Sequence, residues 1–294
     1  MSQSSLMQSV DARSASALAS GALQPVQSEQ IRIEQEGLPF VVRWVSSLAA
    51  KDASKPAAIP GGPRDPNFNP FLNPDPELTV GPLGDTHVAI LNKFPLSVQH
   101  LVLACREFEE QLLPLTAADF TALARVMTEA GGLGLYNGGT AAGASQRHKH
   151  VQWIPSTDDN AGLALFSAGL PQDLPPLGVA RHPALSMQHC FVRVHSGPGM
   201  AVEQAAANLQ QAWEKGCAEL GLQPGADRLM PPYNMLAGDG WMLLIPRSQE
   251  QYEGISLSAI CFGGTLYTRT REQVDLVQQA GPLQVLAEVG FGRL

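Results

Sequence analysis

The sequence predicts an α+β fold in which helices cover one face of an antiparallel sheet. Hydrophobic residues make up 44% of the 294 residues and charged residues only 16%, which indicates a compact globular core. Between residues 86 and 154, the predicted order strand–strand–helix–strand–loop–strand is typical of an antiparallel unit with one covering helix. A loosely similar order, strand–helix–strand–strand, follows without a repeat at the level of residues.

Three regions can be distinguished along the chain. Residues 1–35 begin with a stretch rich in Ser, Ala and Gln and are expected to form an arm or a short helix. Residues 36–170 form a half that carries the main sequence motif, and residues 171–294 form a C-terminal half that completes the sheet. The proline-rich stretch 171–176 marks the boundary, although the two halves can also belong to one domain.

In the first half the sequence predicts one helix and five strands. The helix at residues 117–130 has apolar residues at helical spacing, begins with a capping-box-like Thr116 and Asp119, and stops at Gly131. Residues 58–85 are so rich in Pro, Gly, Asn and Asp that we expect a long ordered surface loop. The predicted strands are residues 38–45, 86–94, 100–108, 133–136 and 146–154.

The second half is predicted to contain a similar mixture of elements. An amphipathic helix at residues 201–220 ends at Gly221, and residues 272–289 form one or two helices interrupted at Gly281 and Pro282. The predicted strands are residues 190–195, 233–236, 241–246 and 255–267.

Charge and apolar patterning exclude several classes of function. The net charge of −8 argues against broad electrostatic binding to nucleic acid or to an anionic membrane, although a local group of cations can still bind a small anion. No apolar run approaches the roughly 18–20 residues of a membrane span. The N-terminus lacks the basic start and the apolar core of a secretory signal. We therefore expect a soluble cytoplasmic protein.

Cysteine usage is consistent with that compartment. The cysteines are far apart, form no C-x-x-C pair, and mostly lie in apolar runs, so that buried reduced thiols are expected. They are Cys105, Cys190, Cys217 and Cys261.

The stretch NGGTAAGASQRHKHVQWIP, residues 137–155, carries the side chains best suited to chemistry. If its second part is a strand, then His148, His150 and Gln152 share one face at a spacing of about 7 Å, while Lys149 points to the other face. The preceding loop has little side-chain bulk, so its backbone N–H groups could approach phosphate oxygens closely.

From these residues alone, three interpretations stay open. The two histidines can be hydrogen-bonded residues of a partly buried strand without any catalytic role. They can also bind zinc, but this requires a third protein ligand that no spacing in the sequence supports. In the third interpretation, a neutral imidazole attacks phosphorus, His148 orients the partner ring, and Gln152 donates its amide to the phosphate.

The histidine motif and several distant segments resemble the diadenosine tetraphosphate phosphorylases, also called ATP adenylyltransferases, a branch of the histidine-triad superfamily. The resemblance runs in the same order from about residue 36 to residue 270, and H-x-H-x-Q preceded by GASQ is a specific signal. The matching segments are 65–71 (DPNFNPF), 92–95 (NKFP), 136–137 (YN), 143–146 (GASQ), 148–155 (HKHVQWIP), 233–234 (YN), 241–242 (WM) and 245–247 (IPR).

The resemblance implies a histidine-triad-like antiparallel sheet with covering helices, extended by the C-terminal half. It also implies phosphorolysis of diadenosine tetraphosphate to ATP and ADP. In the family pattern His150 is the nucleophile that takes an adenylyl group, with His148 and Gln152 as further catalytic residues, and phosphate then removes that group as ADP. A divalent cation, expected to be magnesium, would bind through the substrate phosphates without a protein ligand. The protein is expected to be a monomer or a homodimer.

The same resemblance implies contacts to the nucleotide and its phosphates in both halves. In the first half these residues are Lys51, Asn92, Lys93, Asn137, Gly143, Ala144, Ser145, Gln146 and Gln152. In the second half they are Ser258, Ala259, Ile260, Thr265 and Arg269. Two of them depart from the family pattern, since Ser258 stands where asparagine is common and Arg269 where lysine is usual.

Three other functions are alternatives. Galactose-1-phosphate uridylyltransferases share the covalent chemistry, but they have proline at the position of Lys149, and the C-x-x-C metal pair is missing here. A dinucleoside polyphosphate hydrolase of the histidine-triad type usually has a third histidine in place of Gln152. A nucleotide-binding protein without catalysis is a different class, and the intact His148, His150 and Gln152 argue against it.

Overall fold

The computed structural model describes residues 5–45, 69–95, 97–157, 161–196 and 198–292. In these parts the helices are α1 (Leu6–Ser20), α2 (Ala117–Ala130), α3 (Val202–Leu220), α4 (Arg271–Ala280) and α5 (Pro282–Ala287). The strands are β1 (Ser28–Gln35), β2 (Leu38–Val45), β3 (Thr79–Leu83), β4 (His87–Leu91), β5 (Leu101–Cys105), β6 (Leu133–Gly138), β7 (His150–Ile154), β8 (Val179–Ala180), β9 (Cys190–Arg193), β10 (Tyr233–Gly238), β11 (Trp241–Pro246), β12 (Gln251–Tyr252), β13 (Ile255–Ser256) and β14 (Thr265–Thr268). Short 3-10 helices occur at Thr140–Ala142, Ala164–Gly169 and Ala259–Gly263.

One antiparallel sheet of nine strands joins the two halves of the chain. Its order is β3-β4-β5-β7-β6-β10-β11-β9-β8, and the halves meet where β6 pairs with β10. Asn137 and Asn234 are direct partners across this central pair of strands. Every residue of β6, β10 and β11 is buried, which is why these strands read as almost continuous apolar runs. The predicted α+β fold is confirmed.

Helices α2 and α3 pack against each other and cover one face of this sheet. The capping box predicted at the start of α2 is present, because the Asp119 carboxylate accepts the Thr116 backbone N–H at 2.7 Å. Helix α3 ends at Gly221, whose φ of 65° is readily adopted by glycine. The rings of Phe120 and Trp213 meet between the two helices, and burying such a side chain stabilises the fold by about 2 kcal/mol.

The other face of the large sheet is covered by a small second sheet and by the last two helices. The small sheet has the order β1-β2-β14, and β14 lies parallel to β2 although the two strands are far apart in the chain. Leu266 of β14 lies beside Val42 of β2, and both belong to an apolar cluster that includes residues of α4 and α5. The small sheet also contributes to the cavity described below.

The structure corrects three predictions in the first half. The region 1–35 contains α1, but it also contains β1, which pairs with β2 along its length. Strand β3 lies within the predicted loop 58–85, of which residues 58–68 are outside the described residues. The histidine strand begins at His150 and not at residue 146, because His148 makes only an isolated bridge to Glu110.

In the second half, the strand predicted at residues 255–267 is wrong. The chain forms β13, then the 3-10 helix Ala259–Gly263, and then β14. Gly264 has a φ of 96° and turns the chain between the last two elements. A short buried apolar run does not by its pattern distinguish a strand from a helical turn. The helices predicted at 201–220 and 272–289 are confirmed, with the interruption at Gly281.

The predicted state of the four cysteines is confirmed, since all are buried and none forms a disulfide. Over the described ranges of the chain, the structure contains no helix with the length and apolarity needed to cross a membrane.

Candidate active site

A cavity of about 420 Å³ lies between the large sheet, the small sheet and the hairpin β12–β13. It collects many of the residues that the family pattern implied, from both halves of the chain. Those predicted residues are Asn92, Asn137, Gly143, Ala144, Ser145, His150, Gln152, Ser258 and Arg269. The cavity therefore brings together the loop before β7, the face of β7 and the segment before the 3-10 helix Ala259–Gly263.

His150 is one of two buried imidazoles that line this cavity, and His100 is the other. Its Nδ1 lies 2.8 Å from the carbonyl oxygen of His148, an acceptor, so Nδ1 carries the proton of the neutral ring. Burial lowers the pKa of His150 to about 4, and the hydrogen bond to His148 opposes this only in part. The ring is therefore neutral near pH 7, and its Nε2 has a lone pair available for attack.

The backbone of His150 is held by Gln111, which lies outside the sequence motif. Gln111 Oε1 accepts the backbone N–H of His150 at 2.9 Å, and Gln111 Nε2 donates to the carbonyl oxygen of the same residue at 3.1 Å. The same Nε2 also donates to the carbonyl of Asn137 at 2.8 Å. One buried amide thus fixes the first residue of β7 relative to the end of β6.

His148 takes a different position from the one expected. Its ring does not line the cavity within the described residues, and its Nε2 donates to the carbonyl of Cys105 at 2.8 Å while Nδ1 contacts Asn69 Oδ1 at 3.1 Å. The rings of Phe71 and Phe108 pack edge-on against it. The group that orients His150 is the main-chain carbonyl of His148, not its imidazole, so the expected role of that ring is corrected.

Gln152 belongs to a chain of side-chain hydrogen bonds with a defined direction. Asn92 Oδ1 accepts the backbone N–H of Phe94 at 3.2 Å, so Asn92 Nδ2 is the group that donates to His100 Nδ1 at 3.3 Å. The other nitrogen of His100 then carries the proton and donates to Gln152 Oε1 at 2.9 Å. Gln152 is left with its Nε2 donors for a ligand in the cavity.

His100 was not among the predicted site residues. Burial lowers its pKa to about 4, with the hydrogen bond to Gln152 acting in the opposite direction, so the ring is neutral near pH 7. The position of His100 in the sequence could have indicated that it belongs to the site. His100 immediately precedes β5, the strand that pairs with β7, and it follows the Asn92 segment closely.

The small-residue loop before β7 behaves differently from the expected phosphate cradle. Its N–H groups at Gly143 and Ala144 donate within the loop, to the carbonyls of Thr140 at 2.9 Å and Gly139 at 3.0 Å. These two groups are therefore engaged by the loop itself. Gly143 has a φ of 85°, and a Cβ at this position would lie 2.8 Å from the Leu257 carbonyl oxygen. The loop is thus packed directly against the second half of the chain.

Several predicted contact residues lie away from the cavity, within the described residues. Lys93 is exposed, and Gln146 is not a lining residue. Ile260 and Thr265 are buried in the protein interior, and Ala259 contacts Asn137 Oδ1 through its backbone N–H at 2.8 Å. Of the contact residues predicted in the second half, only Ser258 and Arg269 therefore line the cavity. Lys51 lies outside the described residues.

The cavity is also lined by side chains that sequence reasoning missed. They come from β2, from the β12–β13 hairpin and from β14, and no motif connected these distant segments. The polar and aromatic members from these elements and from the residue before the hairpin are Arg43, Trp44, Glu250, Gln251, Ser256, Tyr267 and Thr268. Alternation along β2 and β14 was the only signal available, because it places Arg43 and Tyr267 as neighbours once the two strands are paired.

Lys149 immediately precedes β7, and its side chain points away from the cavity, as predicted. Its ammonium lies 3.1 Å from Asp119 Oδ2 and 3.1 Å from Glu109 Oε2. Asp119 also approaches His87 and Cys105, and in the described chain these three form a group whose potential metal-ligand atoms all lie within 4.8 Å of one another. Because the Lys149 ammonium already neutralises Asp119, this cluster is a buried ion network rather than a cation site.

Comparison with known proteins identifies the family from both halves of the chain. Residues 1–165 match the family model described as Ap4A phosphorylase N-terminal domain, and residues 183–292 match the model described as ATP adenylyltransferase C-terminal domain. Here Ap4A denotes diadenosine tetraphosphate.

Two relatives come from Saccharomyces cerevisiae (strain ATCC 204508 / S288c). Diadenosine 5',5'''-P1,P4-tetraphosphate phosphorylase 2 is 25% identical, over 85% of this chain and 82% of the relative. Protein APA1 is 22% identical, over 94% of this chain and 91% of the relative.

Among solved structures, yeast Ap4A phosphorylase Apa2 in complex with AMP matches with a TM-score of 0.78 and 21% identity, covering 100% of this chain and 99% of that one. The same yeast protein in complex with Ap4A matches with a TM-score of 0.76 and 20% identity, covering 98% of each chain. These likenesses show a shared fold. Because the two family models together match most of the sequence, the chain belongs to the family of Ap4A phosphorylases with an ATP adenylyltransferase C-terminal domain.

Proposed function

We propose that this protein is a nucleotidyltransferase that phosphorolyses Ap4A to ATP and ADP, with the adenylyl group carried on Nε2 of His150. The observation that carries the proposal is the hydrogen bond between His150 Nδ1 and the His148 carbonyl, since it leaves the Nε2 lone pair beside the cavity. Membership of the family, and a relative named as an Ap4A phosphorylase, support the same reaction.

In the first step, His150 Nε2 attacks the α-phosphorus of one adenosine. A P–N bond forms while the bond between that phosphorus and the bridging oxygen of the β-phosphate breaks, and ATP leaves with the electron pair. The imidazole of the adduct carries a positive charge, which the hydrogen bond from Nδ1 to the His148 carbonyl stabilises. The Gln152 Nε2 donors are available for the charge that develops on the non-bridging oxygens.

In the second step, an oxygen of inorganic phosphate attacks the same phosphorus atom. The P–N bond breaks, the electron pair returns to Nε2, and the adenylyl group leaves as ADP. His150 is restored as a neutral imidazole with its proton on Nδ1. Arg43 and Arg269, which both line the cavity, are suited to neutralise phosphate charges in either step.

A divalent cation is proposed to enter with the substrate. Among the described residues that line the cavity, Glu250 is the only carboxylate, and it accepts a hydrogen bond from Ser256 at 2.5 Å. This set does not form a dedicated protein site for magnesium, which in such cavities binds through substrate phosphates. We also propose a cytoplasmic location, which the four buried free thiols support. The oligomeric state, monomer or homodimer, stays a prediction.

The first experiment measures Ap4A consumption by the purified protein with and without inorganic phosphate. The expected result is that Ap4A disappears only with phosphate, and that ATP and ADP form in equal amounts. Release of AMP without phosphate would identify a hydrolase instead. Lack of any turnover in a folded protein that binds Ap4A would favour a non-catalytic nucleotide-binding function.

The second experiment tests His150 as the attacking group. Incubation with radiolabelled Ap4A in the absence of phosphate is expected to leave an acid-labile adenylyl group on the protein, and adding phosphate should release it as ADP. His150→Ala should abolish this labelling, whereas the exposed His195→Ala should retain it. Labelling that persists in His150→Ala would place the adduct on another residue.

A further inference from the structure

Arg247 is a buried cation that the proposed reaction does not use directly. It follows β11, is only 1% exposed, and has no carboxylate within ion-pair distance in the described chain. Its charge is instead solvated by carbonyl oxygens. Nε donates to Val289 at 3.0 Å, Nη1 to Leu257 at 3.0 Å, and Nη2 to Gln249 at 2.8 Å.

The guanidinium fixes the direction of the neighbouring hydrogen bonds. Arg247 Nη1 also bonds to the side-chain oxygen of Asn234, and because arginine has only donors, this oxygen must be the acceptor. The amide nitrogen of the fully buried Asn234 is then turned towards the first half. It donates to Asn137 Oδ1 at 2.9 Å and to the Ala142 carbonyl at 2.8 Å.

The orientation of the Asn234 amide in turn fixes the orientation of the Asn137 amide, and Asn137 lines the cavity. Its Oδ1 accepts from Asn234 Nδ2 and from the backbone N–H of Ala259 at 2.8 Å, so both lone pairs of this oxygen are engaged. Only the Nδ2 donors of Asn137 remain for a ligand. A donor is the group required for phosphate or ribose oxygens, whereas an exposed amide oxygen would repel a phosphate.

The same bonds join the two loops at the cavity. Asn234 holds the carbonyl of Ala142, the last residue of the 3-10 helix before Gly143, and Arg247 holds the carbonyl of Leu257, next to Ser258. Both loops contribute lining residues, one from each half of the chain. Two buried side chains bonded to each other, Arg247 and Asn234, therefore set the separation of these loops and also the orientation of the Asn137 amide.

We propose that Arg247 and Asn234 are positioning residues which fix the Asn137 amide as a hydrogen-bond donor towards an anionic nucleotide. The inference deepens the proposed function and rests on it, since it assumes that a nucleotide phosphate occupies the cavity. Neither Arg247 nor Asn234 lines the cavity among the described residues, so their effect on binding must pass through Asn137 and the two loops.

The test uses Asn234→Asp in the full-length protein, with AMP as the probe. The substitution preserves the shape of the side chain and its acceptor for Arg247, but it removes the donor to Asn137 Oδ1 and to the Ala142 carbonyl. The Asn137 amide should then turn and present its oxygen to the cavity. We expect the Kd of AMP, measured by calorimetry at a temperature where the variant is folded, to rise about tenfold. Arg247→Lys keeps the positive charge but loses the planar guanidinium, which donates several hydrogen bonds at once. This variant should therefore also raise the Kd of AMP.

Asn208→Asp is the matched control. Asn208 lies on α3 and donates to the His195 carbonyl, so the substitution removes an amide donor of the same kind away from the cavity. Its Kd for AMP should equal that of the unchanged protein. A folded Asn234→Asp protein with an unchanged Kd would overturn the inference. If the unchanged protein does not bind AMP, both the proposed function and the inference are contradicted. An unchanged Kd in Asn234→Asp contradicts the inference alone, so the two failures can be distinguished.

A second measurement needs no variant that might misfold. In uniformly ¹⁵N-labelled protein, the side-chain NH2 signals of Asn137 should shift when AMP is added to saturation. Those of Asn234 should be protected from exchange with solvent already in the free protein, because both its hydrogens are bonded in the interior. Asn137 signals that do not respond to saturating AMP would overturn the inference.

Discussion

His100 Nε2 donates to Gln152 Oε1 over 2.9 Å, and this bond determines which end of the Gln152 amide faces the cavity. Asn137 is held in a comparable way by the bonds that begin at Arg247. Two separate hydrogen-bonded groups of side chains thus each direct an amide nitrogen, that of Gln152 or that of Asn137, towards the same cavity. A cavity for a polyanion requires donors, and both arrangements exclude the opposite orientation of an amide.

His100 itself lines the cavity, and His100→Leu should impair catalysis by releasing the Gln152 amide from its fixed orientation. Loss of the donor leaves Oε1 of the half-buried Gln152 without its partner and its amide free to rotate, and the cost for a fully buried polar group, about 1–3 kcal/mol, is the upper limit. The expected result is a fall in kcat/KM of about ten- to a hundredfold. His100→Gln, which retains a donor, should recover part of the activity, and the exposed His195→Leu is the control. Unchanged kcat/KM in folded His100→Leu would show that Gln152 does not need this partner.

The pKa values of His100 and His150 predict that the protein loses stability in mild acid. Burial lowers both to about 4, whereas in the unfolded chain each is close to 6.5. Below pH 6.5 the unfolded state therefore binds more protons than the folded state, so the free energy of unfolding decreases as the pH falls from 6.5 to 4. The limit is about 3 kcal/mol for each histidine.

Denaturant unfolding at a series of pH values checks this expectation. The loss between pH 6.5 and 4 should be smaller in a His100→Gln/His150→Gln protein, which lacks both titrating rings. Asp119, whose pKa is lowered to about 2 by its hydrogen bond to His87 and by Lys149 against the effect of burial, contributes only below about pH 4. An equal pH dependence in the doubly substituted and unchanged proteins would exclude the two histidines as its source.

The sequence predicted the fold best where the pattern of apolar residues was long and periodic. Helix α2 is such a case, because its capping residues and helical spacing agree with its packing. The strand expected at residues 255–267 failed because a buried apolar run of this length suits a strand or a helical turn equally well. Strand β1 has exposed residues along its first part and owes its conformation to pairing with β2. No local sequence pattern predicts this pairing.

In the candidate site, too, the sequence predicted features that depend on neighbouring residues and missed contacts between residues far apart in the chain. The alternation of His148, Lys149 and His150 correctly placed Lys149 on the opposite face, because side chains alternate along any extended segment. The partner of the His150 ring proved to be a main-chain carbonyl, which a side-chain motif does not specify. Gln111 and Arg247 act through contacts across distant parts of the chain, and neither has a spacing to the motif that sequence reasoning can use.

Lys149→Met should destabilise the protein strongly. The Lys149 side chain is 0% exposed, and its ammonium neutralises Asp119, which is itself buried at the start of α2. Removing the cation leaves a buried carboxylate without its partner, which costs about 3–5 kcal/mol. The midpoint and slope of denaturant unfolding measure this loss. Lys215→Met removes a half-exposed cation paired with Glu219 on α3, and it should change the free energy of unfolding by less than about 1 kcal/mol. Equal effects of the two substitutions would contradict the importance of the buried ion network.

Gly143→Ala should damage the site by forcing the two cavity loops apart. The residue has a φ of 85°, which is unfavourable for alanine, and the added Cβ would lie 2.8 Å from the Leu257 carbonyl oxygen and 2.9 Å from Ser258 Cβ. Gly21 has a similar φ of 80° with no atom within 4 Å of a Cβ, so Gly21→Ala reports the conformational cost alone, about 1 kcal/mol. We expect Gly143→Ala to lose clearly more stability than Gly21→Ala, and to raise the Kd of AMP, which Gly21→Ala should not change. Thermal unfolding and calorimetry on both variants provide the comparison. If the two substitutions are equivalent in both measurements, the contact between the Gly143 loop and the Leu257 segment does not set the shape of the cavity.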